Sequence, residues 1–330
     1  DLVRVLEGAA GISDLGAGSD RLQLGNSATT LTLANVETVL GDTAANVSDI
    51  LTLTAAQNGM QVNLRGGQDS LTLAEGINTI TVRQTETILG VGGADTLVVA
   101  AGLTGGTIDL GAGDDVVSLT GSGATANLLT VGNVETVLGS TGGDLLTLTA
   151  QVSAGVFNLR AGSDRLTLFT GVDNTLSVLD VETLIGGTGA DTITLSTAVT
   201  GTLIELGEGT DCLTLSGGGV NRISVSGAES LTGGSNNDTI SLTAAATAAV
   251  IDLGSGNDAI ILLGNSENTL TLSNVESLSG SNSSDTIVMG TVATNLSINL
   301  RSGSDTLILA NGDNILSIRN IETVNGAGGA

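Results

Sequence analysis

The chain has 330 residues, of which 34 are acidic and nine are arginine, with no lysine or histidine, so its net charge is -25. A surface of that sign repels nucleic acid and anionic membrane and attracts cations. With no His, Lys, Tyr, Trp or Pro, the chain lacks the usual groups of acid–base and nucleophilic catalysis, and its single cysteine, Cys212, excludes an intrachain disulfide. A non-enzymatic role is expected.

Read from the N-terminus, one pattern is written seven times. Asp1, Asp49, Asp95, Asp144, Asp191, Asp238 and Asp285 each open a copy, at intervals of 46 to 49 residues. The copies are 1–48, 49–94, 95–143, 144–190, 191–237, 238–284 and 285–330. A period of this length means an array in which each unit buries its apolar face only against its neighbours. Residues 1–330 are therefore expected to form a single repeat array. Because the pattern begins and ends in mid-sentence, a segment of a longer protein is expected.

Within each copy a second aspartate follows 19 or 20 residues after the first: Asp20, Asp69, Asp115, Asp164, Asp211, Asp258 and Asp305. Both series precede alternating apolar and polar residues, as in Asp191-Thr-Ile-Thr-Leu and Asp305-Thr-Leu-Ile-Leu. That alternation predicts a half-buried strand with Leu and Ile inward and Thr outward. A second strand falls 11 and 13 residues after each aspartate, at Leu296/Ile298 and Leu316/Ile318. The longer half of each copy adds a segment such as Asn274-Val-Glu-Ser-Leu, read as a third apolar side. The expected fold is all-β: a parallel β-solenoid, like a β-roll or β-helix, of seven repeats with two rungs each. Proline would interrupt inner ladders, and none occurs.

The turn before each second aspartate carries Gly two places earlier: Gly18, Gly67, Gly113, Gly162, Gly209, Gly256 and Gly303. Stretches such as Gly111-Ala-Gly-Asp-Asp, Gly207-Glu-Gly-Thr-Asp and Gly254-Ser-Gly-Asn-Asp, each running into a strand pattern, resemble the RTX (hemolysin-type) calcium-binding repeat. The resemblance implies Ca²⁺ held between stacked rungs by backbone carbonyls and the aspartate. The RTX motif recurs every nine residues, whereas these turns alternate at about 20 and 27 residues. The longer copy, with its Asn-Val-Glu-Thr-Val segment, is similar to the β-strand repeats of large bacterial surface proteins, of surface-layer and giant-adhesin type.

Four turns are entered by an acid followed two places later by glycine: Asp14/Gly16, Asp109/Gly111, Glu205/Gly207 and Asp252/Gly254. Three pair asparagine with arginine: Asn63/Arg65, Asn158/Arg160 and Asn299/Arg301. Given the resemblance, the charge count predicts Ca²⁺ at the four acid turns, with Asp14, Gly18 and Asp20; Asp109, Gly113 and Asp115; Glu205, Gly209 and Asp211; and Asp252, Gly256 and Asp258. In the other three, Arg65, Arg160 and Arg301 would neutralise Asp69, Asp164 and Asp305 as an internal guanidinium. Inheritance from two ancestral repeat types is the alternative.

Glu37, Glu86, Glu135, Glu182, Glu229, Glu276 and Glu322 recur in every longer half and are expected to project outward as a solvated or cation-bridged row. Outward threonine pairs, such as Thr52/Thr54, Thr147/Thr149 and Thr192/Thr194, admit an ice-binding face as an alternative. A carbohydrate-active β-helix is a weaker alternative, since it requires a groove with non-repeating acids. The expected role is structural: a calcium-binding, self-assembling rod or lattice segment of a secreted bacterial cell-surface protein, such as a surface layer, adhesin stalk or extracellular filament. Expected partners are further copies of itself or cell-surface polysaccharide, with neither nucleic acid binding nor membrane insertion.

Overall fold

A computed structural model describes residues 1–42, 46–121 and 126–326. The described residues form 35 short strands, and no helix occurs among them, so none is long and apolar enough to cross a membrane. The chain divides into two compact units, Asp1–Thr167 and Leu168–Ala330.

In the first unit, successive strands alternate between two parallel sheets. Leu2–Arg4, Arg21–Gln23 and Thr38–Leu40 stack in the first sheet, and Ala10–Asp14, Thr30–Ala34 and Ile50–Leu53 stack in the second. Each turn of the solenoid therefore contains two strands. The second unit repeats the arrangement, with Thr175–Leu179, Thr192–Leu195 and Cys212–Thr214 in one sheet and Thr183–Gly187, Thr200–Gly207 and Arg222–Ser226 in the other. The parallel β-solenoid expected from the alternation is what forms.

The rungs differ from the expectation. Among the described residues each copy of the pattern holds five strands, which at two per turn make two and a half turns rather than two rungs. The segment read as a third apolar side does not form one. Thr38–Leu40 lies directly on Arg21–Gln23 in the same sheet, because an interior pressed between two sheets offers only two faces to bury against. In consequence the first strand of successive copies falls on opposite sheets: Leu2–Arg4 in the first and Ile50–Leu53 in the second.

Alternation and register together build the core. Leu22, Val39, Val62, Val82, Val99 and Leu119 stack turn upon turn in the first sheet. Leu31, Leu51, Leu71, Ile88 and Ile108 face them from the second. All are at most 4% exposed. At about 1.5–3 kcal/mol for each such side chain taken out of water, these columns are the main force holding one turn on the next.

One strand of the pattern carries a bulge at a fixed place. Register shifts occur between Asn58 and Met60, Thr104 and Gly106, Thr200 and Thr202, and Thr247 and Ala249. The inserted residue is left-handed each time, at φ 81° for Gly59, 82° for Gly105, 81° for Gly201 and 57° for Ala248. Only Ala248 meets this conformation with a Cβ, a strain of about 1–2 kcal/mol. Replacing it, Ala248→Gly, should raise unfolding stability by about 0.5–1 kcal/mol, since relief of that strain exceeds the entropic cost of glycine. Urea denaturation of the two proteins checks this.

Candidate functional site

The chemistry lies at the turns, where each strand begins. In the first unit, the residues entering four successive strands of the first sheet are Asn78, Asp95, Asp115 and Glu135. Asn78 donates its backbone N–H to Asp95 Oδ1 at 2.8 Å, Asp95 to Asp115 Oδ1 at 2.7 Å, and Asp115 to Glu135 Oε2 at 2.8 Å. One turn earlier, the Gln57 N–H donates to Asn78 Oδ1 at 3.0 Å. The result is a ladder of side chains running up the turns, each satisfying a backbone donor that a strand entry leaves unpaired.

The same ladder recurs along both sides of the solenoid. On the other side of the first unit, the Thr29 N–H donates to Asp49, Asp49 to Asp69 and Asp69 to Glu86. In the second unit the series include Asn221, Asp238, Asp258 and Glu276, and Asn268, Asp285, Asp305 and Glu322. The two aspartate series of the sequence are thus one structural element, two adjacent rungs of a four-residue ladder.

The glutamates correct the sequence reading. Glu37, Glu86, Glu135, Glu229, Glu276 and Glu322 do not form a free outward row; each accepts the backbone N–H of an aspartate one turn before. The residue two places ahead of each is left-handed, at φ 52° for Asn35, 50° for Asn133 and 55° for Asn274. That conformation turns the chain so that the intervening Val36, Val134 or Val275 is buried and the glutamate reaches back. The buried asparagines Asn78, Asn127, Asn174, Asn221 and Asn268 went unread in the sequence. The signal was present, since each lies 17 residues before an opening aspartate.

The ladder carboxylates are buried. Asp20, Asp69, Asp115, Asp211, Asp258 and Asp305 are at most 2% exposed, and in each one oxygen, Oδ2, has no hydrogen-bond partner. Burial pushes Asp69 up to about 7, with further repulsion from Glu86 and Asp49. Burial likewise pushes Asp115, Asp211 and Asp258 up to about 6, with Asp95 and Glu135, Asp191 and Glu229, and Asp238 and Glu276 adding to the rise. Asp49 and Asp305 are raised for the same leading reason. A buried carboxylate flanked by two others disfavours its charged form.

The glycines beside the second aspartates let adjoining turns touch. A Cβ on Gly67 would lie 1.7 Å from the Val47 carbonyl oxygen, and one on Gly113 would lie 2.2 Å from that of Gly93 and 3.0 Å from Asp115 Oδ1. Gly18, Gly209 and Gly256 likewise lie against the carboxylates of Asp20, Asp211 and Asp258.

The two members of each expected calcium pair sit in different surroundings. Asp20, Asp115, Asp211 and Asp258 are inside the ladder. Asp14, Glu205 and Asp252 are exposed and Asp109 half-buried. Asp14 Oδ1 accepts from Asn35 Nδ2 at 2.8 Å and the Gly16 N–H at 3.1 Å, which hold its carboxyl below the usual range. Asp109 accepts from Asn133 Nδ2 and the Gly111 N–H, and Asp252 from Asn274 Nδ2 and the Gly254 N–H. Among the described residues, no three Asp, Glu or Cys side chains converge as a ready-made metal cluster.

The asparagine–arginine turns share this geometry. Asn158 and Asn299 accept the N–H of Arg160 and Arg301, and Arg65, Arg160 and Arg301 hold left-handed φ of 66–69° where the other turns have glycine. Arg160 and Arg301 lie on the surface, and Arg301 donates to Ser279 Oγ at 2.9 Å. Asp69 and Asp305 remain in their ladders. At Asp14, Asp109, Asp252, Asn158 and Asn299 the turn is thus the same, a side-chain oxygen capping the N–H two residues on, whereas Asn63 Oδ1 is buried without a partner.

The threonines face outward as expected. Thr87, Thr107, Thr130, Thr147 and Thr167 form one continuous column on the second sheet of the first unit. Next to it, Leu89 and Asp109 break the parallel column that contains Thr32, Thr52 and Thr72. Neither protein-family models nor curated protein sequences match the chain.

Proposed function

We propose that the chain is a structural, non-catalytic, calcium-binding repeat segment of a secreted bacterial surface assembly, of the surface-layer, adhesin-stalk or extracellular-filament kind. The observation that carries this reading is the repetition of the buried carboxylate ladder along both sides of each unit, with a partnerless oxygen on a buried aspartate in copy after copy. Chemistry distributed in this way suits a scaffold, whereas a catalyst concentrates its groups at one place.

Each ladder requires its charge to be balanced. Protons do so in mild acid, and a divalent cation does so at neutral pH, which would couple stability to a calcium-rich exterior. The fit to Ca²⁺ rests on the orphaned, buried Oδ2 atoms together with the acids at the same turns, of which Asp14, Asp109 and Asp252 each lend only Oδ1 to their own turn. The four acid–glycine turns are the proposed positions, and the three arginine turns are proposed to hold no ion. Metal counting at saturating calcium tests this. Four ions per chain are expected, and seven or none would overturn the assignment.

A further inference from the structure

The half-turn left over in each copy has a consequence for the sides of the first unit. Strands of its first sheet run towards one edge and strands of its second sheet towards the other. Because successive copies start on opposite sheets, they place equivalent turns on opposite edges.

Charge is segregated accordingly. The edge reached at the ends of first-sheet strands carries Arg4, Arg65, Arg83, Arg160 and Arg165, five of the nine arginines in the chain, against Glu7 and the ladder residue Glu86 outside the buried aspartates. The opposite edge carries Asp14, Glu37, Glu75, Asp109, Asp114 and Glu135, with one arginine, Arg21. Arg4, Arg83, Arg160 and Arg165 are exposed, as are Asp14, Glu75 and Asp114. In a chain of net charge -25, a cationic edge stands out from its surroundings.

The spacings on the two edges also match. Counting ladder steps, the strand ending at Arg83 is one turn beyond that of Asn63, and the strand preceding Arg160 is five turns beyond it. On the acidic edge, the strand preceding Glu37 is one turn beyond that of Asp14, and the strand ending at Asp109 is five turns beyond it. Arg65, Arg83 and Arg160 thus repeat at the intervals of Asp14, Glu37 and Asp109, over about 24 Å at 4.8 Å per turn. Asp14 and Asp109 each use one carboxylate oxygen on Asn35 and Asn133, and Glu37 uses one on the Asp20 N–H one turn before, so without calcium the other oxygen is left for a donor from outside.

We propose that the first unit associates laterally with a second copy of the chain, the arginine edge of one against the acidic edge of the next. The axes point the same way, and the copies are staggered so that Arg65, Arg83 and Arg160 meet Asp14, Glu37 and Asp109. Each contact leaves an acidic edge unused on one copy and an arginine edge unused on the other, so the contact does not close on itself and extends into a flat array. The idea rests on the structural role proposed above and gives it a direction of growth.

Sedimentation velocity and electron microscopy of the full chain, in chelator and at low ionic strength, test it separately from calcium binding. Wild-type protein is expected to form lateral arrays that high salt disperses. The Arg65→Glu/Arg83→Glu/Arg160→Glu variant should associate at least about tenfold more weakly. So should Glu75→Arg/Asp114→Arg, whose side chains cap no turn, and a mixture of the two variants should re-form arrays. If circular dichroism shows the first variant unfolded, the corresponding Arg→Gln triple variant takes its place. A wild-type chain that stays monomeric, or arrays indifferent to the arginine changes, would overturn the proposal. Arginine-dependent retention of a monomeric chain on dextran sulfate would also do so, and would assign the edge to an anionic polymer.

Discussion

Raising the pH from 5 to 8 in the presence of chelator should destabilise the chain by about 1–3 kcal/mol for each ladder whose aspartate is held near 6 or 7. The sign follows from the direction of the shifts. Asp69, Asp115, Asp211 and Asp258 bind a proton more tightly in the fold than in the unfolded chain, where their value is about 3.8. Their contribution is therefore complete below about 4 and is lost as pH rises through about 6 to 7. Asp14, held low by Asn35 and the Gly16 N–H, runs the other way, but it is exposed and weighs little. Urea midpoints measured across this range should fall with pH. Millimolar calcium should restore them at pH 8 and change little at pH 5.

The second large effect concerns one ladder residue. Asp115→Ala should cost about 1–3 kcal/mol at pH 5, because the Asp95 N–H loses its acceptor inside the protein, and about 1 kcal/mol less at pH 8, where the wild type carries the repelled charge. Asp115→Asn keeps an oxygen for that N–H and removes a charge repelled by Asp95 and Glu135. The asparagine variant should match the wild type or fall slightly below it at pH 5, and exceed it by about 1 kcal/mol at pH 8. Denaturation of both variants at the two pH values separates loss of the hydrogen bond from relief of the charge. A uniform penalty for both substitutions would mean that Asp115 serves packing alone.

Much of this fold could be read in the sequence, because apolar alternation and a 47-residue period leave few alternatives to stacked parallel strands. Leu22, Leu51 and Ile80 face inward as the pattern requires. The turn count could not be read that way. Whether Thr38–Leu40 begins a third face or lies on Arg21–Gln23 depends on how many sheets enclose the core, which alternation within a strand does not encode. The aspartates were visible as a series, but their role was not. A short carboxylate beside glycine reads as an ion-binding turn when only neighbours along the chain are considered, whereas Asp115 is defined by Asp95 and Glu135, each 20 residues away. Glu135 lies between Val134 and Thr136, a pattern that reads as an outward position, and still reaches back to the Asp115 N–H, because left-handed Asn133 redirects the chain. The arginine edge was invisible for the same reason: Arg65 and Arg160 are separated from Asp14 and Asp109 only because five strands occupy turns of two.

The claim on which the rest depends is that buried aspartates of the ladder hold protons that exposed carboxylates have already lost. Isotope-edited infrared or carboxyl-carbon NMR titration of the folded chain in chelator, with Asp115 assigned through Asp115→Asn, measures this directly. The ladder predicts a protonated carboxyl at pH 5 that ionises near 6. An Asp115 carboxylate already ionised at pH 5, titrating near the ordinary value of about 4, would contradict it.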